Sequence, residues 1–388
     1  WRFTITRQPT RIQSMKIATP VLALLLICGA TSTVFAQTNT PLWARLNPDS
    51  LNLKLLPVPT LNIAPEVGVQ GGVSLDYFFN TNKNPVSDHT RNSMAWAHVQ
   101  YSSRNQLVAD VFWQIFTPEE RWFTRGRVGY MDFYERFWGV GIQTLPGDAW
   151  LDMTYRRWFA QGRLLKRLEG KHFAGALFDL SLTPRLSLSD HFHGQWANIA
   201  GAQGSRTSGL GPIWIADYRN DPFSPTRGWY FESYALLRRA WLGSEQVYDE
   251  YLLDVRKYCQ IGQKHILATQ VFAQMTTGNA PLRELPRLGG PNVMRGYFMG
   301  RYRDRQYAAL QAEYRWMFGR MRYGLAAFAS AGQVGANAND FAMRNLRYAA
   351  GSGVRILISR PKNLYARIDV ARSGEGDWAT YIRVGEAF

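Results

Sequence analysis

Cysteine is nearly absent from this chain: Cys28 and Cys259 are the only two in 388 residues. Cys28 sits in an expected leader, so the mature chain is left with one cysteine and no intramolecular disulfide. Long apolar runs are also missing. Outside the leader, none approaches the roughly 18 residues that a spanning helix needs. Acidic charge is short, with 29 Asp and Glu against 45 Lys and Arg, a formal net charge of +16. A basic balance can signal nucleic acid, but here the bases fall singly, in turns or at alternate positions, and no nucleic-acid partner is expected. Neither a phosphate-binding loop nor a Gly-x-Ser-x-Gly elbow appears.

Aromatic residues, by contrast, make up 14% of the chain and hydrophobic residues 46%. Without long apolar runs, that content must be spread by alternation. Ala308, Leu310, Ala312, Tyr314, Trp316 and Phe318 share one parity, against Gln311, Glu313 and Arg315. Met321, Tyr323, Leu325, Ala327 and Ala329 oppose Arg320, Arg322 and Ser330, and Leu364, Ala366, Ile368 and Val370 oppose Tyr365, Arg367 and Asp369. An apolar outside and a charged inside at period two is the pattern of a transmembrane β-barrel. The bases then belong to a polar lumen. Cys259 shares the parity of Tyr251, Leu253 and Val255 and reads as a small lipid-facing residue.

The spacing predicts strands near 58–66, 68–80, 91–103, 105–116, 120–133, 148–164, 171–186 and 209–219. Eight more follow near 226–241, 247–259, 264–276, 304–318, 320–333, 346–359, 362–373 and 376–388. The expected fold is therefore an all-β, antiparallel transmembrane barrel of about sixteen strands, with both ends on one side of the membrane. The short links at Phe318-Gly319-Arg320 and Arg360-Pro361-Lys362 fall on the periplasmic side. The long connections near 277–303 and 334–345 fall outside. If 65–80 were a single strand, the parity of the first half would change.

Both ends of the sequence fit that address. Residues 1–14 read as an upstream extension, and 15–36 as a secretory signal peptide with its apolar run at Val21–Ile27 and small residues near Ala36. Residues 37–57 read as a periplasmic linker and 58–388 as the barrel. In the last segment Trp378, Ile382, Val384 and Phe388 share one parity, broken by Glu386. The expectation is a closing strand that serves as a C-terminal assembly signal, with Phe388 in the lower aromatic girdle.

Two segments carry more specific information. Asp217-Tyr218-Arg219 leads through Pro225-Thr226-Arg227-Gly228 into a turn, and Leu288-Gly289-Gly290-Pro291-Asn292-Val293-Met294-Arg295-Gly296-Tyr297 lies in a long connection before the Glu313 strand. Together they resemble the BamA superfamily of outer-membrane barrels, the bacterial surface-antigen family, from about residue 60 to Phe388. The resemblance implies that Asp217, Arg219, Pro225 and Gly228 form a periplasmic turn motif. It also implies that the loop folds into the barrel, with Arg295 held by acids on the inner wall. Glu313 faces inward by parity and could take the guanidinium in a bidentate pair. Gly296 would permit the tight backbone, and Tyr297 would pack on the wall. The family's Phe-x-Asp-x-Gly is here Phe328-Ala329-Ser330-Ala331-Gly332. Ser330 replaces the second carboxylate, so either Arg295 has one charged partner or Asp369 or another lumen acid stands in. Only about 20 residues precede the barrel after the leader, too few for the periplasmic POTRA domains that the family's machines carry.

Enzyme readings are weak. Asp190, His191 and His193 lie in an expected loop with no third ligand fixed nearby, and Ser189-Asp190-His191 are adjacent, so they cannot form a triad. The chain is read as a non-enzyme without cofactor or metal. The resemblance implies a role in inserting or translocating proteins or lipids at the outer membrane. The alternatives are a passive pore or structural subunit and, less favoured, a lipid-hydrolysing barrel. Implied partners are outer-membrane lipids and lipopolysaccharide, the barrel-assembly machinery for its own insertion, and protein partners or a second copy of the chain.

Overall fold

The computed structural model describes residues 55–81, 90–189, 199–360 and 363–388. The expected leader and nearly all of the expected linker lie outside these residues, as do Asp190, His191 and His193. The rest forms a closed antiparallel barrel of sixteen strands. We number them β1 (Leu55–Ala64), β2 (Gly68–Phe79), β3 (Ser93–Ser102), β4 (Leu107–Phe116), β5 (Trp122–Phe137), β6 (Leu151–Arg167), β7 (His172–Thr183, continued by Leu186–Leu188) and β8 (Ser205–Asp217). The second half comprises β9 (Gly228–Arg238), β10 (Tyr248–Ile261), β11 (His265–Gly278), β12 (Gln306–Phe318), β13 (Tyr323–Gly335), β14 (Arg347–Ser359), β15 (Leu364–Ser373) and β16 (Trp378–Val384).

Residues 65–80 are not one strand. Ala64 and Gly68 close a hairpin around Pro65, Glu66 and Val67, and β1 pairs with β2 over its full length, Leu55 opposite Tyr77 to Ala64 opposite Gly68. The barrel begins at Leu55 rather than at 58, because Pro57 and Pro59 are tolerated in this strand; proline survives in a sheet only where no ladder donor is needed.

Register carries one face around the wall. Glu313 lies opposite Phe328 and Ala268, Arg355 opposite Arg367, and Asp369 opposite Tyr381. That face is the interior: Glu313, Asp369 and Arg355 are completely buried. Val128, Trp158, Leu210, Leu310, Trp316 and Val354 lie on the other face and are exposed, as a lipid-facing wall requires. Cys259 is also exposed.

The interior is less polar than the base pattern suggests. Phe116, Phe123, Leu165, Phe173, Ile213 and Ile215 form a buried apolar cluster. All of them share the inward face: Phe116 lies opposite Phe123, Phe123 opposite Leu165 and Phe173 opposite Ile215. The cluster sits toward the rim formed by the turns at 117–121, 168–171 and 218–227. Here side chains from neighbouring strands pack together on the inner wall and replace water with apolar contact, each worth about 1.5–3 kcal/mol when fully buried.

Closure is uneven. The last strand pairs with β15 from Ala366 opposite Val384 to Arg372 opposite Trp378. With β1 it registers at a single pair, Ile63 opposite Ile382. Side chains supplement that thin seam: Ala64 and Val67 pack with Ala371, Ala379, Tyr381 and Phe328.

A closed sheet satisfies its backbone within the wall and resists detergent. Purified protein should therefore migrate faster on a gel before boiling than after it. Equal mobility combined with a helical circular-dichroism spectrum would contradict this architecture.

Candidate functional site

The connection between β11 and β12, residues 279–305, enters the lumen and touches two sectors of the wall. Its first part packs Ala280, Leu282 and Leu285 among Phe137, Leu151, Met153, Tyr155 and Tyr248. Glu135 on β5 accepts Arg287 at 3.2 Å and also pairs with Arg303, which donates to the Leu282 carbonyl at 3.3 Å. Arg287–Leu288 and Tyr302–Arg303 pair as a short ribbon, so the loop is internally braced. Arg283 donates to Glu284 at 2.8 Å. Burial alone would raise the Glu284 carboxyl, but Arg283, Arg157 and Arg238 outweigh it and bring it to about 2.

The loop's tip reaches the β12–β16 sector. Arg295 donates to Glu313 at 2.6 Å and to Asp369 at 2.7 Å. Its guanidinium carbon lies 3.5 Å from the centre of the Phe328 ring, which adds a desolvated cation–π contact. Three wall arginines share the same acids. Arg315 donates to Glu313 at 2.6 Å, Arg355 reaches Glu313 at 3.1 Å and Asp369 at 2.6 Å, and Arg367 donates to Asp369 at 2.9 Å. Glu386 is the third carboxylate, accepting Arg355 at 2.8 Å. The result is a lattice of four guanidiniums and three carboxylates, all nearly water-free.

This geometry decides the question left open at Ser330. The second carboxylate on Arg295 is Asp369, from two strands away, while the Ser330 hydroxyl donates to the Ala349 carbonyl at 3.4 Å. Gly296 has φ +113°, and a Cβ there would lie 3.0 Å from the Arg372 carbonyl carbon. Its N–H donates to the Tyr381 hydroxyl at 3.2 Å. Tyr297 is buried with Leu288, Met294, Tyr302, Tyr307 and Val334. The Asn292 and Pro291 carbonyls accept from Gln311 and Arg367, each at 2.9 Å.

Two seam residues escaped the sequence reading. Glu66, in the β1–β2 turn, accepts the Met299 N–H at 2.8 Å. Tyr381, on the closing strand, holds Gly296. The loop is thereby tied to both sides of the seam. Neither residue stands out as a motif. Glu386 did leave a signal, as the acid that interrupts the apolar parity of the last segment.

The other expected positions divide. Asp217 accepts Arg219 at 2.8 Å and Arg91 at 3.3 Å, and joins the turns at one rim. Pro225 is buried, and Gly228 has φ +107° with the Tyr218 carbonyl where a Cβ would stand. Trp378 and Val384 face outward and are exposed, with Ile382 on the same face at the seam. Phe388 does not join them. The strand ends at Val384, Gly385 turns the chain at φ +89°, and Phe388 is buried beside Tyr258, Ala268 and Ala387. Its carbonyl accepts Arg315 at 3.2 Å. The girdle position expected for it is therefore wrong: strand parity stops applying once the strand ends. Ser189 pairs with Asp152 through backbone and hydroxyl and faces no histidine in the described residues.

A closed sixteen-strand barrel with an in-folded, arginine-anchored loop defines the outer-membrane class of the Omp85 type. The Omp85 superfamily domain matches residues 179–374, just over half of the 388, and the chain belongs to that superfamily; it is a protein of the bacterial outer membrane. Among solved structures it resembles BamA from Haemophilus ducreyi lacking POTRA domains 1–3, with TM-score 0.60, 12% identity, and coverage of 86% of this chain and 70% of that one. CdiB from Acinetobacter baumannii gives TM-score 0.52, 13% identity, and coverage of 86% and 59%. CdiB from Escherichia coli gives 0.56, 11%, and coverage of 85% and 62%. The chain thus spans less than two thirds of the CdiB chains. No curated protein sequence matches it.

Two outcomes are expected from this geometry. Arg295→Ala and Glu313→Ala should each cost about 3–5 kcal/mol, the usual penalty for breaking one member of a buried pair, seen as a lower unfolding temperature. The double variant should lose little more than either single one, whereas Ser330→Asp should gain nothing because Asp369 already occupies that role. Additive losses would mean that the two groups do not act together. Separately, burial pushes the Glu66 carboxyl above its ordinary value. A raised folded value makes ionisation costly, so its contribution is best below the usual carboxylate range and is lost as pH rises through the raised value. Glu66→Gln should flatten that part of the stability–pH curve while Glu66→Ala loosens the loop. An unchanged slope in the Gln variant would remove Glu66 from the account.

Proposed function

We propose that the protein assists insertion or translocation of proteins or lipids at the outer membrane by opening the wall between β1 and β16. The 279–305 loop acts as the latch. In this reading the rim holding Phe388 and the 218–227 turn faces the periplasm, and the loop enters from outside. The observation that carries the proposal is the single registered pair at the seam. Separating one pair forfeits few backbone hydrogen bonds at about 1 kcal/mol each, whereas any other junction would break a long ladder. Met299 on Glu66 and Gly296 on Tyr381 bring the loop to both sides of that junction. Likeness to BamA and CdiB barrels supports the fold on which this rests. The occupied lumen favours a gated wall over a free pore.

The test is a reversible lock. Ile63→Cys and Ile382→Cys, introduced with Cys28 and Cys259 replaced by serine, should form a disulfide across the seam. Cells carrying the oxidised barrel should accumulate the client protein or lipid on the periplasmic side, with recovery on reduction. Outer-membrane and periplasmic protein and lipid compositions that stay unchanged with the seam fully oxidised would overturn the gating proposal.

A further inference from the structure

On β5 an inward-facing guanidinium, that of Arg125, is left without an ion pair among the described residues. Arg125 lies on the inward face of β5, directly opposite Arg163 on β6 and Gln114 on β4. Like charges directly opposite each other on a sheet are destabilising. Arg163 is compensated by Glu232 on β9 at 2.8 Å. Arg125 has no hydrogen bond or ion pair to any described residue; its only close partner is the Phe112 ring, 5.4 Å from the guanidinium carbon.

The neighbouring acids are all engaged. Glu232 receives Arg163 on one oxygen and the Tyr230 hydroxyl on the other. Asp254 is taken by Arg256 and, at 2.8 Å, by Gln270. Asp110 pairs with Arg127. Arg125 therefore faces a second cation, with no free carboxylate among the described residues to meet it. It is nevertheless exposed, and so is Gln161, which lies opposite Arg127 on the same face. Because both side chains point inward, that exposure is to the lumen.

We infer that this patch is a binding site for a phosphoryl oxyanion. Arg125 supplies a planar fork of donors suited to two phosphoryl oxygens. The amides of Gln114, directly opposite, and of Gln161, beside it on the same face, make no hydrogen bond to a described residue and add neutral donors. The repulsion from Arg163 falls when the anion binds, so the site rewards occupancy twice. The group could come from free phosphate or from a phospholipid headgroup entering the lumen; both present the same oxygens. The inference stands apart from the gating proposal, since it needs neither seam opening nor a client.

The full chain, purified in neutral detergent and phosphate-free buffer, should be titrated calorimetrically with inorganic phosphate and, separately, with dihexanoyl phosphatidate. Binding of the first marks a free-anion site and binding of the second alone a headgroup site. In either case Arg125→Gln should weaken it about tenfold or more, the effect of losing a charge-assisted contact. Arg156→Gln, which alters an exposed arginine of the outer wall paired with Asp132, should leave binding unchanged. Without anion, Arg125→Gln should unfold no earlier than the parent, because it removes the repulsion. No binding of either ligand at millimolar concentration, or equal binding by the parent and Arg125→Gln, overturns the site. Should the Gln variant not fold, Arg125→Lys must show the same weakening, and parental affinity there also overturns it.

Discussion

The buried charge lattice around Arg295 is the constraint on which the loop's position depends. Glu313 and Asp369 are fully desolvated, and isolated charges in such a place cost several kcal/mol each. Three wall arginines already crowd these acids, but Arg295 fills the one approach that the wall does not supply, from the lumen side. The loop therefore docks where its guanidinium is accepted, and the remaining contacts follow. Gly296 comes close to β15 and β16 because only a residue without Cβ fits there. Tyr297 then falls into its apolar nest, and Met299 reaches Glu66.

That chain of consequence links the loop to the seam. A charge pair on β12 and β15 fixes the tip, and the tip's backbone touches a tyrosine on β16 and a carboxylate in the β1–β2 turn. None of these contacts lies in the sheet ladder. The thin seam is thus reinforced by a device that can be released without unzipping any other strand pair. Under the gating proposal, the energetic step is the loss of the lattice and of two backbone–side-chain bonds, followed by one ladder pair.

Much of this was legible in the sequence, and its limits have physical reasons. Strict alternation on β12, β13 and β15 exposed both faces, because each has small or apolar residues outside, with charge inside on β12 and β15 and Ser330 inside on β13. Arg295 and Glu313 could be matched from motif and parity together. Asp369 could be listed as a lumen acid but not chosen, since pairing across two strands depends on barrel curvature. The apolar interior near Phe116, Phe123 and Phe173 was hidden: those strands carry hydrophobic residues on both faces, and alternation cannot then say which side is lipid. Phe388 was misplaced because parity was extended past Gly385. Glu66 and Tyr381 are ordinary residue types at a turn and on a strand, and nothing local marks them.

The interior divides into sectors held by different forces, and this bears on where the wall can yield. Across β4 to β9, aromatic and aliphatic side chains fill the lumen near one rim, and parting them would expose apolar area at about 25 cal/mol per Å². Across β12 to β16 the filling is ionic, directional and shared with a loop. Ionic contacts can be exchanged for other ionic contacts, or for water and counterions, once a path opens; buried apolar area has no such substitute in an aqueous lumen. The sector that borders the seam is the one whose cohesion can be replaced, while the opposite sector keeps its shape. Under the gating proposal, a barrel built this way opens on one side without losing the rest of its wall.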